Sequence, residues 1–458
     1  PMGAHVLGYL GEIGPKQLKA SRDKGYELGD EIGQYGLEKK WEQYLRGKGG
    51  GQQVEVDALG RRVRVISEVI SGPGYTVHLT LDRKLQQSAY EALQGKEGTI
   101  VVLDVHNGGI LAMASTPSFD PNVFARGINV DEWRTLIKDR LRPLSNRAIQ
   151  GQYPPGSTFK IIMAVAGLEE EAINPDAKIS DPGYFPFGNR NFRDWKKEGH
   201  GSVDLHKSLV ESCDVYYYQL GIRLGVDRIA KWARAFGLGE KSGAVLDDEK
   251  SGLVPDTVWK RKRYRQPWYP GETPSVAIGQ GYLTTTPLQL ANMMAAVANG
   301  GTLYRPRLVS RVESIDGETA FEQGPEVIRT IDLKPDTLAR VRKALFDVVN
   351  GTTGTGKAAR SPLITMAGKT GTSQVIEMKG AYLKNEKLAY FNKDHAWFVS
   401  YAPADKPQIA IAVLIEHGGG GGAAAAPMAK IVAEKYAELQ KPTTIQQEAR
   451  AEGEERAN

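Results

Sequence analysis

The chain has 458 residues, 41% hydrophobic and 25% charged, which exceeds one small module at ~100–200 residues per domain and excludes global disorder. Lysine and arginine number 59 against 54 acidic residues, a net charge of +5, too mild to point to nucleic acid and suited at most to a weakly anionic polymer or membrane surface. The single cysteine, Cys213, excludes an intramolecular disulfide and leaves the redox compartment open.

Residues 1–75 read as an extended arm. Its start, Pro1-Met2-Gly3-Ala4, resembles a cloning scar joined to an internal segment, so a native membrane anchor is expected to have been removed. Residues 16–40 are charged and roughly helical, and 47–51 form a glycine-rich break. Residues 54–57 and 62–66 alternate with period two around Gly60 and predict a hairpin. A second domain is expected over 76–440, opening with a strand at 75–81 and a helix at 83–93. Residues 99–105 and 109–114 flank His106-Asn107-Gly108, a hairpin signal in which Asn-Gly predicts a type I′ turn. Apolar helices are predicted at 157–170, 203–224 and 286–299, and two late strands at 394–402 and 407–416, none long enough to span a membrane. Strands and helices in runs, without βαβ alternation, predict an α+β class with a mainly antiparallel sheet and a helical lobe. The tail, 441–458, is polar and expected to be disordered.

Three short motifs carry chemistry. In Pro154-Pro155-Gly156-Ser157-Thr158-Phe159-Lys160, Pro-Pro-Gly stops the chain just before an apolar helical face (Phe159, Ile162, Met163, Ala166). Ser157 then sits at a helix start, among unpaired amides, with Lys160 three residues on and on the same side. A serine hydroxyl needs a base to become a nucleophile, and a desolvated lysine beside a second cation can serve. Lys369-Thr370-Gly371-Thr372 reads as a strand whose small residues let a ligand backbone lie along its edge. Ser212-Cys213-Asp214 interrupts a buried-looking stretch with polar side chains, as a helix cap would also do. Each motif alone is weak. Ser21-Arg22-Asp23-Lys24 matches the first in chain order, and Lys241-Ser242-Gly243 and Lys250-Ser251-Gly252 match the third, Lys-Thr-Gly, all in solvated or turn-like settings.

In this order the three resemble the active-site set of penicillin-binding proteins and serine β-lactamases. The stretch from Gly151 to Lys160, Ala277-Ile278-Gly279-Gln280-Gly281-Tyr282, the segment 396–403 and Glu416-His417-Gly418-Gly419-Gly420 are similar to class B transpeptidases of the penicillin-binding protein 2 subgroup. The resemblance implies a serine D,D-transpeptidase of peptidoglycan, acting in cell elongation and shape at the periplasmic face of the inner membrane. It implies Ser157 as nucleophile, Lys160 as general base with its pKa lowered by Lys369, and Ser212 as proton relay. It further implies Lys369, Thr370 and Thr372 on the substrate carboxylate, with Gly371 between them, and the amides of Ser157 and Thr372 as oxyanion hole. Implied partners are stem peptides (a D-Ala-D-Ala donor and an amine acceptor), β-lactams and a membrane glycosyltransferase of the elongation machinery, with no nucleic acid. Asp214 departs from the usual Ser-x-Asn and puts in doubt any role for an amide donor there. A β-lactam-sensing receptor domain and a D,D-carboxypeptidase are the rival readings.

Asp181, Asp194, His200 and Cys213, with His206 as the alternative imidazole, carry donor types that zinc accepts, and some penicillin-binding protein 2 sequences resemble this one in the same set. Such a zinc would be structural, since the chemistry itself needs no cofactor. The competing reading is a buried free cysteine with two aspartates capping turns. Tyr216, Tyr217 and Tyr218 read mainly as core. The basic run at 260–265, followed by Trp268 and Tyr269, reads as a solvated loop with a glycan contact as the alternative.

Overall fold

The computed structural model describes residues 2–244, 246–375 and 388–441; apart from Lys441, the predicted tail lies outside these residues. Five strands build the central antiparallel sheet: β1 Gly98–Asp104, β2 Ile110–Thr116, β3 Ala367–Ser373, β4 His395–Ala402 and β5 Ile409–Ile415. Their order is β3-β4-β5-β1-β2. The period-two alternation of a strand sends Ile100, Val102, Phe398, Ile411 and Val413 to one face and Val101, Leu103, Trp397, Val399 and Ala412 to the other.

Helices cover both faces. The helices α1 (Arg83–Ala92) and α6 (Ala426–Leu439) pack on the first. On the second lie α2 (Lys160–Glu169), α3 (Asp214–Leu224), α4 (Pro287–Asn299) and α5 (Pro335–Asn350), with α4 directly on β1, β4 and β5. This double cover explains why β5 is an unbroken apolar run rather than an alternating one: all its residues are buried. It also leaves β3 as an edge strand, with its free side against the 3-10 turn Gly156–Phe159 that opens α2.

The expected hairpin of β1 and β2 is present, but its turn is not type I′. Gly108 has φ 71, whereas Asn107 keeps negative φ. The Asp104 carboxylate organises a longer loop by accepting from His106 N (2.8 Å) and Asn107 Nδ2 (2.8 Å), while Gly109 N donates to Asn107 Oδ1 (2.7 Å). The predicted helix at 203–224 is broken into Leu205–Val210 and α3, because Ser212 adopts φ 59 and Cys213 caps α3, its Sγ accepting from Tyr216 N at 3.4 Å. Residues 16–40 are not one helix: Glu31–Tyr35 is a strand paired with Tyr9–Glu12, between the helices Pro15–Ser21 and Gly36–Lys40. The strand Thr76–Leu79 stays outside the main sheet and pairs with Val309–Glu313. The arm hairpin is present as Gly51–Val56 and Arg62–Val69, exposed along both strands.

Candidate active site

The nucleophile turn is clamped from two sides. Pro154 O accepts from Ser373 Oγ and from Trp397 Nε1 (3.0 Å), which ties the first motif to β3 and β4. On the other side Gly156 N donates to Gly279 O at 2.9 Å. Gly156 has φ 54, and a Cβ there would lie 2.4 Å from Thr372 O, so only glycine lets the turn meet β3 this closely. Gly371 answers from the strand: its missing Cβ would sit 2.9 Å from Thr158 Cγ2. The absent side chain of Gly371 thus makes room for the nucleophile turn. Ser157 is half-buried on that turn, and Thr158 and Phe159 are buried behind it.

Lys160 is fully buried at the start of α2. Its Nζ donates to Ser212 O (2.8 Å), Ser212 Oγ (3.3 Å) and Asp214 Oδ1 (2.6 Å). The first and second motifs thus meet through one ammonium group. Asp214 takes the role of anionic acceptor, which an amide donor at that position would not fill. No hydrogen bond joins Lys160 to Ser157 among the described residues. Such contacts tighten in many enzymes only when substrate is bound.

Lys369 is also fully buried, and its Nζ donates to Thr370 O at 3.2 Å. Burial, and next the Lys160 ammonium, push Lys369 well below the ordinary lysine value of 10.5. In the unfolded chain Lys369 regains its ordinary value, so between the lowered folded value and 10.5 the unfolded state binds more protons and stability rises with pH. Below that window both states are charged and the folded state bears the whole burial cost. Lys369→Met is therefore expected to melt above the parent at about pH 6, with the gap narrowing towards about pH 10, in a pH series of thermal melts.

Four contacts were not legible in the sequence. Trp195 N donates to Asp214 Oδ2 (3.3 Å) and its Nε1 to Ser212 O (3.0 Å). Gln280 Nε2 donates to Thr372 O at 3.2 Å. Thr355 and Thr370 share a hydrogen bond between hydroxyls at 2.8 Å. The positions of Gln280 between two glycines and of Trp195 beside Asp194 were the available signals.

Asp181, Asp194, His200 and Cys213 converge behind the second motif, all buried, with one donor atom from each within 4.8 Å of the others. His200 Nδ1 lies 2.7 Å from Asp181 Oδ2 and 3.5 Å from Asp194 Oδ1, and Cys213 Sγ donates to Asp181 Oδ2 at 3.3 Å. His200 Nε2 is buried without a hydrogen-bond partner. Asp194 Oδ2 accepts from Asp214 N (2.7 Å) and Val215 N (3.1 Å), so the cluster supports the second motif directly. Burial, and then the Asp214 carboxylate, hold Asp194 above the usual carboxylate range; burial and Asp194 push the Cys213 thiol up. Two carboxylates, an imidazole and a thiol in one dry pocket are a donor set that a divalent cation fits. His206 is elsewhere, half-exposed beside Asp347 at 3.1 Å.

The Lys-Ser-Gly decoys lie in irregular loops, and Ser21–Lys24 spans a helix end and a 3-10 turn. Glu249 accepts from Ser242 N (2.6 Å) and Oγ (2.5 Å), and Ser251 Oγ donates to Gly252 O (3.0 Å). Tyr216, Tyr217 and Tyr218 are all core.

Comparison with known proteins agrees with this geometry. The model of the penicillin binding protein transpeptidase domain matches residues 98–434, and that of the penicillin-binding protein dimerisation domain matches residues 1–79. The chain belongs to the penicillin-binding protein transpeptidases. The peptidoglycan D,D-transpeptidase MrdA of Haemophilus influenzae is 39% identical over 96% of this chain and 68% of the relative. Across curated transpeptidases of this name the chain spans 62% to 72% of their length. A Helicobacter pylori penicillin-binding protein solved in complex with MreC superposes with TM-score 0.83 at 34% identity, over 96% of this chain and 78% of that one. Penicillin-binding protein 2 of Pseudomonas aeruginosa, solved with the compound WCK 5153, gives TM-score 0.81 at 36% identity, over 96% and 92%. The fold is that of the family, and the enzyme class is D,D-transpeptidation of peptidoglycan, an acyl transfer. Among the described residues no helix is long and apolar enough to cross a membrane.

Proposed function

We propose that this penicillin-binding protein transpeptidase cross-links stem peptides through an acyl-enzyme on Ser157. Ser157 Oγ attacks the penultimate D-Ala carbonyl of a donor pentapeptide and passes its proton to Lys160, which acts as base in its neutral amine form, its ammonium proton having first been released from the Ser212 and Asp214 contacts. The oxyanion faces the amides of Ser157 and Thr372. The first lies at the start of a 3-10 turn, where amides lack intrahelical acceptors. The second is on the free edge of β3, because Thr372 O accepts from Gln280 there and a strand residue points its N–H and C=O the same way. As the C–N bond breaks, Ser212 relays the proton to the departing D-alanine. An acceptor amine then attacks the ester, forming the cross-link and returning the proton to Ser157. Lys369, Thr370 and Thr372 hold the donor carboxylate. The observation that carries this reading is the convergence of Lys160 on Ser212 and Asp214 beside the turn of Ser157. Incubation with a pentapeptide donor and an amine acceptor tests it: released D-alanine with a cross-linked dimer supports it, and D-alanine without dimer points to a carboxypeptidase.

The reading extends to cell elongation at the periplasmic face of the inner membrane, with a membrane glycosyltransferase engaged through residues 1–75. The Helicobacter pylori relative's complex with MreC supports a protein partner, and the open-edged arm hairpin, with Val56, Val63, Ile66 and Val69 exposed, supports its placement at this end. Asp181, Asp194, His200 and Cys213 would hold a structural zinc ion, which when bound supplies positive charge that favours the Cys213 thiolate. Protein shown by metal analysis to carry zinc is expected to lose melting temperature and acylation rate on chelation. Zinc-loaded protein that keeps both would sink the site.

A further inference from the structure

The helix Thr257–Tyr264 ends in Arg261, Lys262 and Arg263, and Arg265 follows with φ 59. All four are exposed, and among the described residues no carboxylate pairs with any of them. Neighbouring Lys231, Arg234 and Arg329, by contrast, each have a carboxylate partner. The nearby acid, Glu272, is taken by buried Lys260, whose Nζ donates to Glu272 Oε1 (2.5 Å) and Tyr282 OH (2.9 Å). The helix macrodipole favours cations in the last turn. It does not account for the exposed rings around these cations, of which Arg265 is the C-cap. Tyr264 is 46% exposed on a cluster in which the rings of Trp259 and Tyr264 lie 5.0 and 5.7 Å from that of Tyr282, and Tyr269, 51% exposed, follows Trp268, whose ring lies 6.3 Å from Tyr282.

This surface is continuous with the catalytic cleft. Lys260 anchors it to Tyr282, two residues from Gln280 on Thr372 O and three from Gly279, which receives Gly156 N. We propose that Arg261, Lys262, Arg263 and Arg265, with the exposed rings of Tyr264 and Tyr269, form a docking surface for the peptidoglycan strand outside the cleft. The occupant is an anionic glycan-peptide segment beyond the reacting stem peptide. Free stem-peptide carboxylates supply the complementary charge, and amphipathic rings suit a ligand with apolar faces and polar edges. The inference rests on peptidoglycan being the substrate.

The test is co-sedimentation of the full chain with isolated sacculi, for the parent and for Arg261→Glu/Lys262→Glu/Arg263→Glu/Arg265→Glu. Parent binding is expected to weaken between about 50 and 300 mM salt. The variant is expected to bind roughly tenfold more weakly at low salt and with little salt dependence. Its acylation by penicillin, which is too small to reach the surface, is expected to match the parent's and thereby to certify folding. A quadruple glutamine variant removes charge without adding any and gives the same expected loss where glutamates disturb the fold. Unchanged sacculus binding overturns the proposal. So does retained sacculus binding with lost binding to phosphatidylglycerol vesicles, which would assign the cations to a lipid surface. A parent that penicillin does not acylate would instead defeat the transpeptidase reading, and the sacculus measurement would still judge the surface.

Discussion

Lys160→Met is expected to slow acylation of Ser157 by a penicillin by roughly 10²–10⁴-fold, the range that one positioned general base supplies. Methionine keeps the length and apolar stem of the side chain but removes the ammonium that contacts Ser212 and Asp214. The same change leaves Asp214, 12% exposed, without its cation. Breaking a buried pair from one side costs about 3–5 kcal/mol. Loss of rate and loss of stability therefore arrive together and need separating. Lys160→Met/Asp214→Asn removes the stranded charge and is expected to recover most of the stability and none of the rate. Urea unfolding and acylation kinetics on the two variants distinguish a base from a structural ion pair. Recovery of acylation in the double variant would mean that Lys160 serves only to neutralise Asp214.

Gly279→Ala is expected to lower acylation by about 10²-fold, the effect of misplacing a reacting group by about an ångström. Gly279 has φ 76, and an added Cβ would lie 2.1 Å from Gly156 O and 2.8 Å from Gly156 N. Neither neighbour is a side chain that can swing aside. The nucleophile turn must move, and Gly156 N loses its acceptor on Gly279. Gly281→Ala is the matched control. It has φ 69, but its nearest neighbour would be Ser275 Cβ at 3.4 Å, an ordinary contact. That variant is expected to lose about 1–2 kcal/mol through left-handed strain and to acylate at close to the parent rate. Second-order acylation rates set beside urea midpoints separate the two effects.

What was legible in the sequence followed the local code. Apolar period and length located β4, β5, α1 and α4, and turn chemistry located the β1–β2 hairpin. Ser157, Lys160, Ser212 and Lys369 were found by motif and order. Long-range geometry was not legible. The break at Ser212 depends on its φ of 59, which no propensity favours in a serine, and it turns an apparent long helix into a cap that delivers Asp214 to Lys160. The role of Gly371 depends on a turn more than two hundred positions earlier in the chain. Asp104 outcompeted the Asn-Gly preference because its carboxylate reaches two donors of the loop at once. The metal-type cluster was named from donor types together with the resemblance to penicillin-binding protein 2 sequences. Its convergence required Gly183 N and His200 N to fold back on Asp181, at 2.7 and 3.0 Å.

The most direct test of the account is intact mass after incubation with a penicillin, on the parent and on Ser157→Ala. A single covalent adduct on the parent, absent from Ser157→Ala, is the predicted result. An adduct that persists for hours agrees with a transpeptidase rather than a β-lactamase. An adduct on Ser157→Ala, or none on well-folded parent, would contradict the assignment of Ser157 as the nucleophile.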